Sequence, residues 1–404
     1  MSILEITNII LGILAIALSL PIAVLVIECG AALFPGIRDP QTNNPPQFNV
    51  LMPAHDEAAV IDETLDFLLP QLTSPNQLVV IADNCSDNTA EIARNRGATV
   101  LQRFNTEQKG KGYALDYGLN HLAANPPDVV VLVDADCRCL PGSIAKIASQ
   151  AAGQNRPIQA LYLMEKPPNP QPKDSVSALA FLVKNLVRPR GLTQLGLPCL
   201  LTGTGMAFPW EIIRQAPLAS GNIVEDMQLG LDLAIAGYPP QFCQTAKVTG
   251  ILPPQGEAAK SQRTRWEHGH LQTLLTQVPR LSIAAIKQFR FDLLALALDL
   301  VVPPLSLLVM AWGAGLIIAG VGAIFGASWL PFGVLAIAGI LIFLSIVSAW
   351  AKFGQKDIPG KSLLAVPFYV LWKIPLYFAF LIKRQSQWVR TERSPVVPDS
   401  KPKA

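Results

Sequence analysis

The chain has 404 residues, of which 50% are apolar and only 15% are charged, and its formal net charge is +3. Soluble globular chains carry about 25% charged residues, so part of this chain is expected to lie in lipid. A charge so near neutrality, without a basic stripe carrying interleaved aromatic residues, excludes nucleic acid as an expected partner. The six cysteines are scattered and lack zinc-site spacing, and we expect them to be reduced thiols.

The N-terminal region, residues 1–30, predicts a transmembrane helix. Residues 9–27 contain no charge, and this stretch is long enough to cross a hydrocarbon core. A cleaved signal peptide is the alternative, but such a peptide has a basic start and a shorter apolar stretch. The only early charge is the acidic Glu5, so the sequence favours an uncleaved anchor.

Residues 47–288 form a polar block of ordinary domain size, in which we expect the catalytic domain. In its first half, short apolar runs alternate with helical patterns, which indicates an α/β fold with a mostly parallel sheet. The predicted strands are 48–52, 78–82, 98–102 and 129–133, and the predicted helices are 57–72, 89–97 and 113–123. Ligands of such sheets bind beyond the carboxyl ends of the strands.

Polar side chains follow three of these predicted strands. His55, Asp56 and Glu57 follow the first strand, Asp83 closes the second, and Asp134-Ala135-Asp136 follows the last. Two carboxylates separated by one residue can hold a hard divalent cation such as Mg²⁺ or Mn²⁺. A solvated turn is the alternative for an isolated Asp-x-Asp, but the preceding buried strand and the other strand ends favour a metal site. Asp83 is expected to accept a hydrogen bond from a base or ribose.

Three loops offer further candidates, each with a structural alternative. The basic, flexible loop around Lys111 is either a phosphate contact or an exposed loop. The small residues Gly203 and Thr204 either let an acceptor approach closely or form a plain turn. Glu225 and Asp226 precede a helical pattern. Acidic side chains at a helix N-terminus interact favourably with the helix dipole, and the alternative is that one of them serves as a general base. Asp87 is expected to cap the helix that starts near residue 89.

The most specific local feature is the segment Gln262-Arg263-Thr264-Arg265-Trp266. On a helix, Gln262, Arg265 and Trp266 share one face. That face offers an amide, a planar cation and an aromatic wall, which suit a diphosphate and a sugar ring. His268 and His270 are two residues apart and do not share a helical face, so a metal role for them is not expected.

The C-terminal third predicts more membrane segments. Residues 296–351 predict two transmembrane helices with a break at 326–328, and a third apolar stretch covers 362–383. Basic residues flank the pair on both sides, which places both flanks and the polar block in the cytoplasm by the positive-inside rule. A basic tail, 384–404, follows, and a full crossing by 362–383 would place this tail outside, against the same rule. We therefore expect 362–383 to be an interfacial or re-entrant helix, with a fourth transmembrane helix as the alternative.

In order, these elements resemble the membrane-integrated branch of glycosyltransferase family 2, which includes cellulose, chitin and hyaluronan synthases and ceramide glucosyltransferase. The resemblance covers residues 47–270. The motifs that carry it are Pro53-Ala54-His55-Asp56-Glu57, Asp83, Gly110-Lys111, Asp134-x-Asp136, Glu225-Asp226 and Gln262-x-x-Arg265-Trp266, and the tail segment Trp388-x-x-Thr391-x-Arg393 is similar to one in some relatives.

The resemblance implies a GT-A fold (nucleotide-diphospho-sugar transferase, Rossmann-like), a nucleotide-sugar donor usually carrying UDP, a glycan or lipid acceptor, and inversion at the anomeric carbon. Two departures weaken the expected nucleoside contacts, since Asp56 replaces the commoner Asn and Ala82 stands where many members have a second Asp. The residue roles implied are donor binding by Pro53, His55, Glu57, Asp83, Lys111 and Asp134, metal binding by Asp134 and Asp136, proton abstraction by Asp226, and diphosphate or acceptor contact by Glu225, Gln262, Arg265, Trp266, Gly203 and Thr204.

The sequence-based hypothesis is thus an integral membrane glycosyltransferase of the cell inner membrane with its catalytic domain in the cytoplasm. Within this class, a single-sugar glycolipid synthase and a processive polysaccharide synthase both remain open. A nucleotidyltransferase is the alternative from another class, since it also uses paired acids and magnesium on an α/β sheet. Two features argue against a nucleotidyltransferase. Such enzymes have no counterpart of the Gln-x-x-Arg-Trp segment, and this chain lacks their glycine-rich, Arg-containing phosphate loop. A catalytically inactive membrane scaffold is disfavoured because every candidate position holds a competent side chain.

Overall fold

The computed structural model describes residues 1–36, 45–167, 170–219, 224–251 and 257–382, without the side chains of 257–261 and 381–382. The chain divides into two compact units. The helical unit comprises 1–38, 168–200 and 266–385, and the sheet unit comprises 39–167, 201–265 and 386–404. The polar block 47–288 therefore contributes residues to both units. The predicted tail, 384–404, with Trp388, Thr391 and Arg393, lies outside the described residues.

The sheet unit is built on one mixed eight-stranded sheet in the order β3-β2-β1-β4-β7-β6-β8-β5. The strands are β1 (Phe48–Ala54), β2 (Leu78–Asp83), β3 (Thr99–Arg103), β4 (Val129–Leu132), β5 (Arg138–Cys139), β6 (Ile158–Glu165), β7 (Met206–Pro209) and β8 (Gln241–Ile251). The first four strands run parallel to one another, as the alternating sequence pattern predicts. Strand β7 pairs antiparallel with both β4 and β6, and β5 pairs antiparallel with β8, so the sheet as a whole is mixed, with four of its seven pairings among the described residues parallel.

Helices cover both faces of this sheet. The helices of the unit are α2 (Ile61–Leu68), α3 (Thr89–Asn95), α4 (Lys111–Leu122), α5 (Ser143–Gln154), α8 (Trp210–Ile213) and α9 (Glu225–Ile235). One core packs the apolar residues of α2, α3 and α5 against the sheet, and the other packs those of α4, α8 and α9. Strands β1, β2 and β4 carry apolar side chains on both faces of the sheet, and helices cover both faces, so these strands are buried. Their burial holds their carboxyl ends in fixed positions.

The helical unit contains the apolar segments of the chain. Its helices are α1 (Ile3–Ala32), α6 (Pro172–Leu182), α7 (Arg188–Gln194), α11 (Phe291–Val301), α12 (Leu305–Ile324), α13 (Leu330–Ala349), α14 (Val366–Trp372) and α15 (Ile374–Ile382). Helix α10 (Glu257–Gln288) begins among the residues of the sheet unit and continues in this one. Within the part of the chain that the structure describes, four helical stretches are long and apolar enough to cross a membrane, namely 3–32, 305–324, 330–354 and 360–380.

The last of these stretches is not one regular helix. Residues 360–365 form a 3-10 turn, α14 follows, and the chain breaks at Lys373 before α15. Pro375 at the start of α15 cannot donate a backbone hydrogen bond, which explains the break. By length and composition this stretch qualifies as a fourth candidate span, so both readings of 362–383 remain predictions.

Candidate functional site

The carboxyl ends of β1, β2 and β4 lie side by side in the sheet. Ala54 is in register with Ala82, and Leu51 is in register with Leu132, so the residues that follow each strand emerge at the same edge. His55 shows the closeness directly, because its Nδ1 lies 2.7 Å from the backbone oxygen of Asp83. The strand-end residues of the sequence prediction are therefore brought together, as the parallel arrangement requires.

Asp134 and Asp136 lie just beyond β4. The Asp134 backbone N–H donates to Thr204 Oγ1 at 3.1 Å, which ties the turn to the segment before β7. A carboxylate oxygen of each aspartate and the Sγ atom of Cys137 all lie within 4.8 Å of one another. Burial, with the charges of Asp136 and Asp134, raises the pKa of the Cys137 thiol well above its usual value. Hard divalent cations prefer carboxylate oxygens to sulfur, so the two carboxylates are the candidate ligands.

Lys111, the first residue of α4, links the separate parts of the site. Its Nζ lies 2.5 Å from Asp134 Oδ1 and 3.9 Å from Glu225 Oε1. The same nitrogen donates to the backbone oxygen of Gly203 at 2.6 Å. Burial would lower the pKa of Lys111, but the carboxylates of Asp134 and Glu225 outweigh it and raise that pKa above its usual value. Lys111 is therefore a fixed positive charge inside an acidic cluster.

The Gln159 side chain forms hydrogen bonds with the backbone of the loop before β7, which contains Thr202, Gly203 and Thr204. The Gln159 amide donates to the Thr204 backbone oxygen at 2.9 Å and accepts from the Thr202 backbone N–H at 2.8 Å. Gly203 has φ +94°, a conformation that side chains rarely adopt. A Cβ atom at this position would lie 3.2 Å from Asp226 Oδ2. The small residues of the loop thus leave room for the Asp226 carboxylate.

Glu225 and Asp226 open helix α9 in its first turn. Burial raises the pKa of Glu225 to about 7; the charge of Lys111 opposes this shift and that of Asp226 adds to it. Burial also raises the pKa of Asp134, again opposed by Lys111 and reinforced by Asp136. The cluster holds four carboxylates against one ammonium group. Such an excess of partly buried negative charge favours a cation among these side chains.

The residue that sequence reasoning missed is Arg103, at the end of β3. Its guanidinium pairs with Asp83 Oδ1 at 2.6 Å, and both side chains are buried. Asn84 Nδ2 donates to the same Asp83 oxygen at 3.2 Å. The carboxylate expected to contact a nucleoside is therefore oriented by two neighbours. The available signal was the position of Arg103 directly after the third predicted strand, 98–102.

The Asp56 and Asp87 carboxylates accept hydrogen bonds from backbone groups of the loops that follow β1 and β2. Asp56 adopts a positive φ of 54°, and its carboxylate accepts from the Ser86 backbone N–H at 2.6 Å. Asp87 accepts from the Thr89 backbone N–H at 3.0 Å, at the start of α3, and from the Ala58 N–H. Oxygens of these aspartates and the Cys85 Sγ lie close enough to hold an ion, but backbone donors already use them. Pro53 and Glu57 belong to the same region, in β1 and the loop after it.

The Gln-x-x-Arg-Trp segment lies on α10, as its helical spacing predicts. Gln262 is buried, and its Oε1 has no hydrogen-bond partner in the described part of the chain. Arg265 is half-buried, and Trp266, in the helical unit, packs edge-on against Phe181 with ring centroids 5.5 Å apart. A ring nitrogen of His268 lies near the Leu376 backbone oxygen and one of His270 near that of Val302, so these histidines face backbone groups.

The residues at the strand ends fit a hard divalent cation. Asp134 and Asp136 provide converging carboxylate oxygens, the ligands that Mg²⁺ and Mn²⁺ prefer. The acidic excess around Lys111 would be reduced by such an ion. The chemistry of the donor set therefore agrees with the expected metal.

The architecture has a counterpart among solved structures. The mannosyltransferase PcManGT from Pyrobaculum calidifontis, determined with GDP-Man and Mn²⁺, superposes with a TM-score of 0.56 and 19% sequence identity. The match covers 92% of this chain and all of that one. The chain thus has the mixed α/β GT-A fold of nucleotide-sugar transferases, with apolar helices on either side in sequence.

The family follows from the sequence match. The model of glycosyltransferase-like family 2 matches residues 45–269, more than half of the chain, and the chain belongs to that family. The 4,4'-diaponeurosporenoate glycosyltransferase of Staphylococcus aureus is 30% identical over 122 residues, 28% of this chain and 32% of that protein. The probable glycosyltransferase YdaM of Bacillus subtilis is 25% identical over 270 residues, 61% of each chain. The chain spans less than two thirds of the length of these relatives.

Proposed function

We propose that the protein is a membrane-bound, metal-assisted inverting glycosyltransferase that moves a sugar from a nucleotide-diphospho-sugar to a glycan or lipid acceptor. The observation that carries the proposal is the gathering of Asp134, Lys111 and Asp226 at one edge of the sheet in a chain of family 2. This arrangement places Lys111 and Asp134, which could bind the donor diphosphate and its metal, beside Asp226, the candidate base. We expect UDP as the nucleotide, although the solved mannosyltransferase carries GDP-Man.

In the proposed reaction, Asp226 accepts the proton of the acceptor hydroxyl. The acceptor oxygen then forms a bond to the anomeric carbon as the bond from that carbon to the diphosphate oxygen breaks, which inverts the centre. Lys111 and Arg265 supply positive charge for the departing nucleoside diphosphate. Mg²⁺ or Mn²⁺, held by Asp134 and Asp136, would neutralise further charge on that group.

The donor is expected to lie along the strand ends. Asp83, aligned by Arg103, and the loop of Pro53, His55 and Glu57 are proposed to bind the nucleoside. Gln262, Arg265 and Trp266 are proposed to line the diphosphate and acceptor side. Gly203 and Thr204 support the acceptor approach, because a side chain at position 203 would crowd Asp226.

For location, we propose an integral protein of the inner membrane with the sheet unit in the cytoplasm, where nucleotide sugars are made. The apolar candidate spans and the basic residues that flank 296–351 support this orientation. The helix break at Lys373 within 362–383 supports an interfacial or re-entrant position for that segment.

The test is transfer from a panel of radiolabelled nucleotide sugars by membranes containing the protein. We expect one donor to label a lipid or polymeric product with Mn²⁺ or Mg²⁺, and labelling to stop with EDTA. Asp134→Ala is expected to abolish labelling at ordinary Mn²⁺ concentrations, whereas Asp116→Asn, on α4, is the matched control and should retain it. Metal-dependent release of pyrophosphate from a nucleoside triphosphate, without sugar transfer, would instead support the nucleotidyltransferase alternative.

A further inference from the structure

Lys373 is an unusual residue for its position. Between residues 362 and 382 it is the only charged side chain, in a segment otherwise apolar enough to enter a membrane. It is buried, with 6% of its surface exposed, and lies where α14 ends and α15 begins. Burying an ammonium group without a partner is costly. The identity of its partner therefore determines which surface this segment can pack against.

That partner is Glu267, the residue directly after Trp266 on α10. The Lys373 ammonium group forms an ion pair with the Glu267 carboxylate, and both side chains are almost fully buried. The Tyr377 hydroxyl interacts with the same carboxylate and lies 2.7 Å from Ser306 Oγ. The Lys373 Nζ also lies 5.0 Å from the ring centroid of Tyr369. The pair is thus embedded in a small polar network within the helical unit.

The next residue of α10 makes a second contact with the same segment. A ring nitrogen of His268 lies 3.1 Å from the Leu376 backbone oxygen, and its ring packs edge-on against Phe380 with centroids 5.2 Å apart. Lys373, Leu376, Tyr377 and Phe380 are spaced as one face of a helix.

Apolar side chains cover the other directions of the segment. Phe368, Leu371, Trp372 and Phe378 are exposed. The segment therefore turns its polar groups towards α10 and its apolar groups outward. This polarity fixes which side of the segment packs on α10, since the reverse orientation would bury the apolar groups and leave Lys373 without Glu267.

We propose that Lys373 is a positioning residue for Trp266, acting through Glu267. The ion pair fixes the helical turn of α10 that begins with Trp266 against the last apolar segment. Trp266 is also held from the side by Phe181. The inference rests on the proposed function, in which Trp266 forms a wall for the acceptor, and it assigns to the last apolar segment a part in acceptor binding.

The experiment compares transfer to the acceptor with hydrolysis of the donor by water, in membranes supplied with the radiolabelled nucleotide sugar that the wild type uses. Lys373→Met removes the charge and keeps the length of the side chain. We expect transfer to fall roughly ten- to a hundredfold, while metal-dependent donor hydrolysis changes less than about twofold, because neither Lys373 nor Glu267 is among the residues proposed to contact the donor. Lys361→Met, at an exposed lysine of the preceding turn, is the control and should leave both rates unchanged.

Two further variants separate positioning from a failure to fold. Lys373→Arg keeps the charge and is expected to restore most of the transfer. The double variant Glu267→Gln with Lys373→Met leaves no unpaired buried charge and should transfer better than Lys373→Met alone. Equal losses of transfer and hydrolysis in Lys373→Met would overturn the inference. A double variant whose loss of transfer equals the product of the losses in Glu267→Gln and Lys373→Met would also overturn it. Wild-type membranes that neither transfer nor hydrolyse any donor would overturn the proposed function as well.

Discussion

At the scale of single residues, the sequence identifies the candidate acids but not their partners. Asp83, Asp134 and Asp226 stand out because they follow strands or open a helix, and such positions can be derived from periodicity. Arg103 and Lys111 were harder to assign, since ion pairs join residues 20 and 23 positions apart, Arg103 to Asp83 and Lys111 to Asp134. Which cation pairs with which acid depends on the sheet order, and hydrophobic patterning does not encode that order directly.

Gly203 allows a sharp test at this scale. Its positive φ and the nearness of a substituted Cβ to Asp226 Oδ2 mean that Gly203→Ala both strains the backbone and displaces the carboxylate. Gly237 has a comparable φ of +104° with nothing within 4 Å of the Cβ position, so Gly237→Ala shares only the strain.

We expect both alanine variants to lose about 1–2 kcal/mol of stability, measured by thermal unfolding in detergent. Only Gly203→Ala should lose transfer, by roughly tenfold, because misplacing a reacting group is costly. Equal activities in the two variants would mean that the loop does not govern the Asp226 carboxylate.

At the scale of elements, α7 joins two helices that are distant in sequence. Arg188 Nε lies 2.6 Å from Glu28 Oε2 at the end of α1, and the same guanidinium pairs with Asp299 in α11. Arg190 donates to the backbone oxygens of Ala32 and Phe34, which the end of α1 leaves without helical partners. The sequence prediction places α7 within the polar block 47–288. Only the folded chain reveals that the charge of Arg188 is buried.

The buried Arg188 is expected to be important for stability. Arg188→Met leaves Glu28 and Asp299 buried without their cation, and breaking a buried pair in this way costs about 3–5 kcal/mol. Arg214→Met removes an exposed pair with Glu211, whose side chain is 68% exposed, and should cost at most about 1 kcal/mol. Thermal unfolding of both variants in the same detergent measures the difference. Similar melting temperatures would show that the buried network contributes little.

At the scale of the whole molecule, the sequence predicts the fold class, and the mixed α/β GT-A architecture confirms it. It succeeds because short apolar strands that alternate with helical patterns, and uncharged spans, are local patterns. It predicts no strand beyond β4, so it misses β5 to β8 and the antiparallel pairing of β7, which depends on sheet order rather than on local pattern. It also misses the contribution of 168–200 to the helical unit, because pairing between distant helices leaves no mark on local composition.

The role of Asp226 is the centre of the proposed mechanism, and one measurement tests it most directly. Donor binding and sugar transfer are measured on the same purified membranes for the wild type, Asp226→Asn and the control Asp232→Asn, which lies farther along α9. We predict that Asp226→Asn lowers transfer by about 10²–10⁴-fold while the affinity for the nucleotide sugar with Mn²⁺ stays within about threefold. Transfer near the wild-type rate, or a loss of donor binding that accounts for the whole effect, would contradict the assignment of Asp226 as the base.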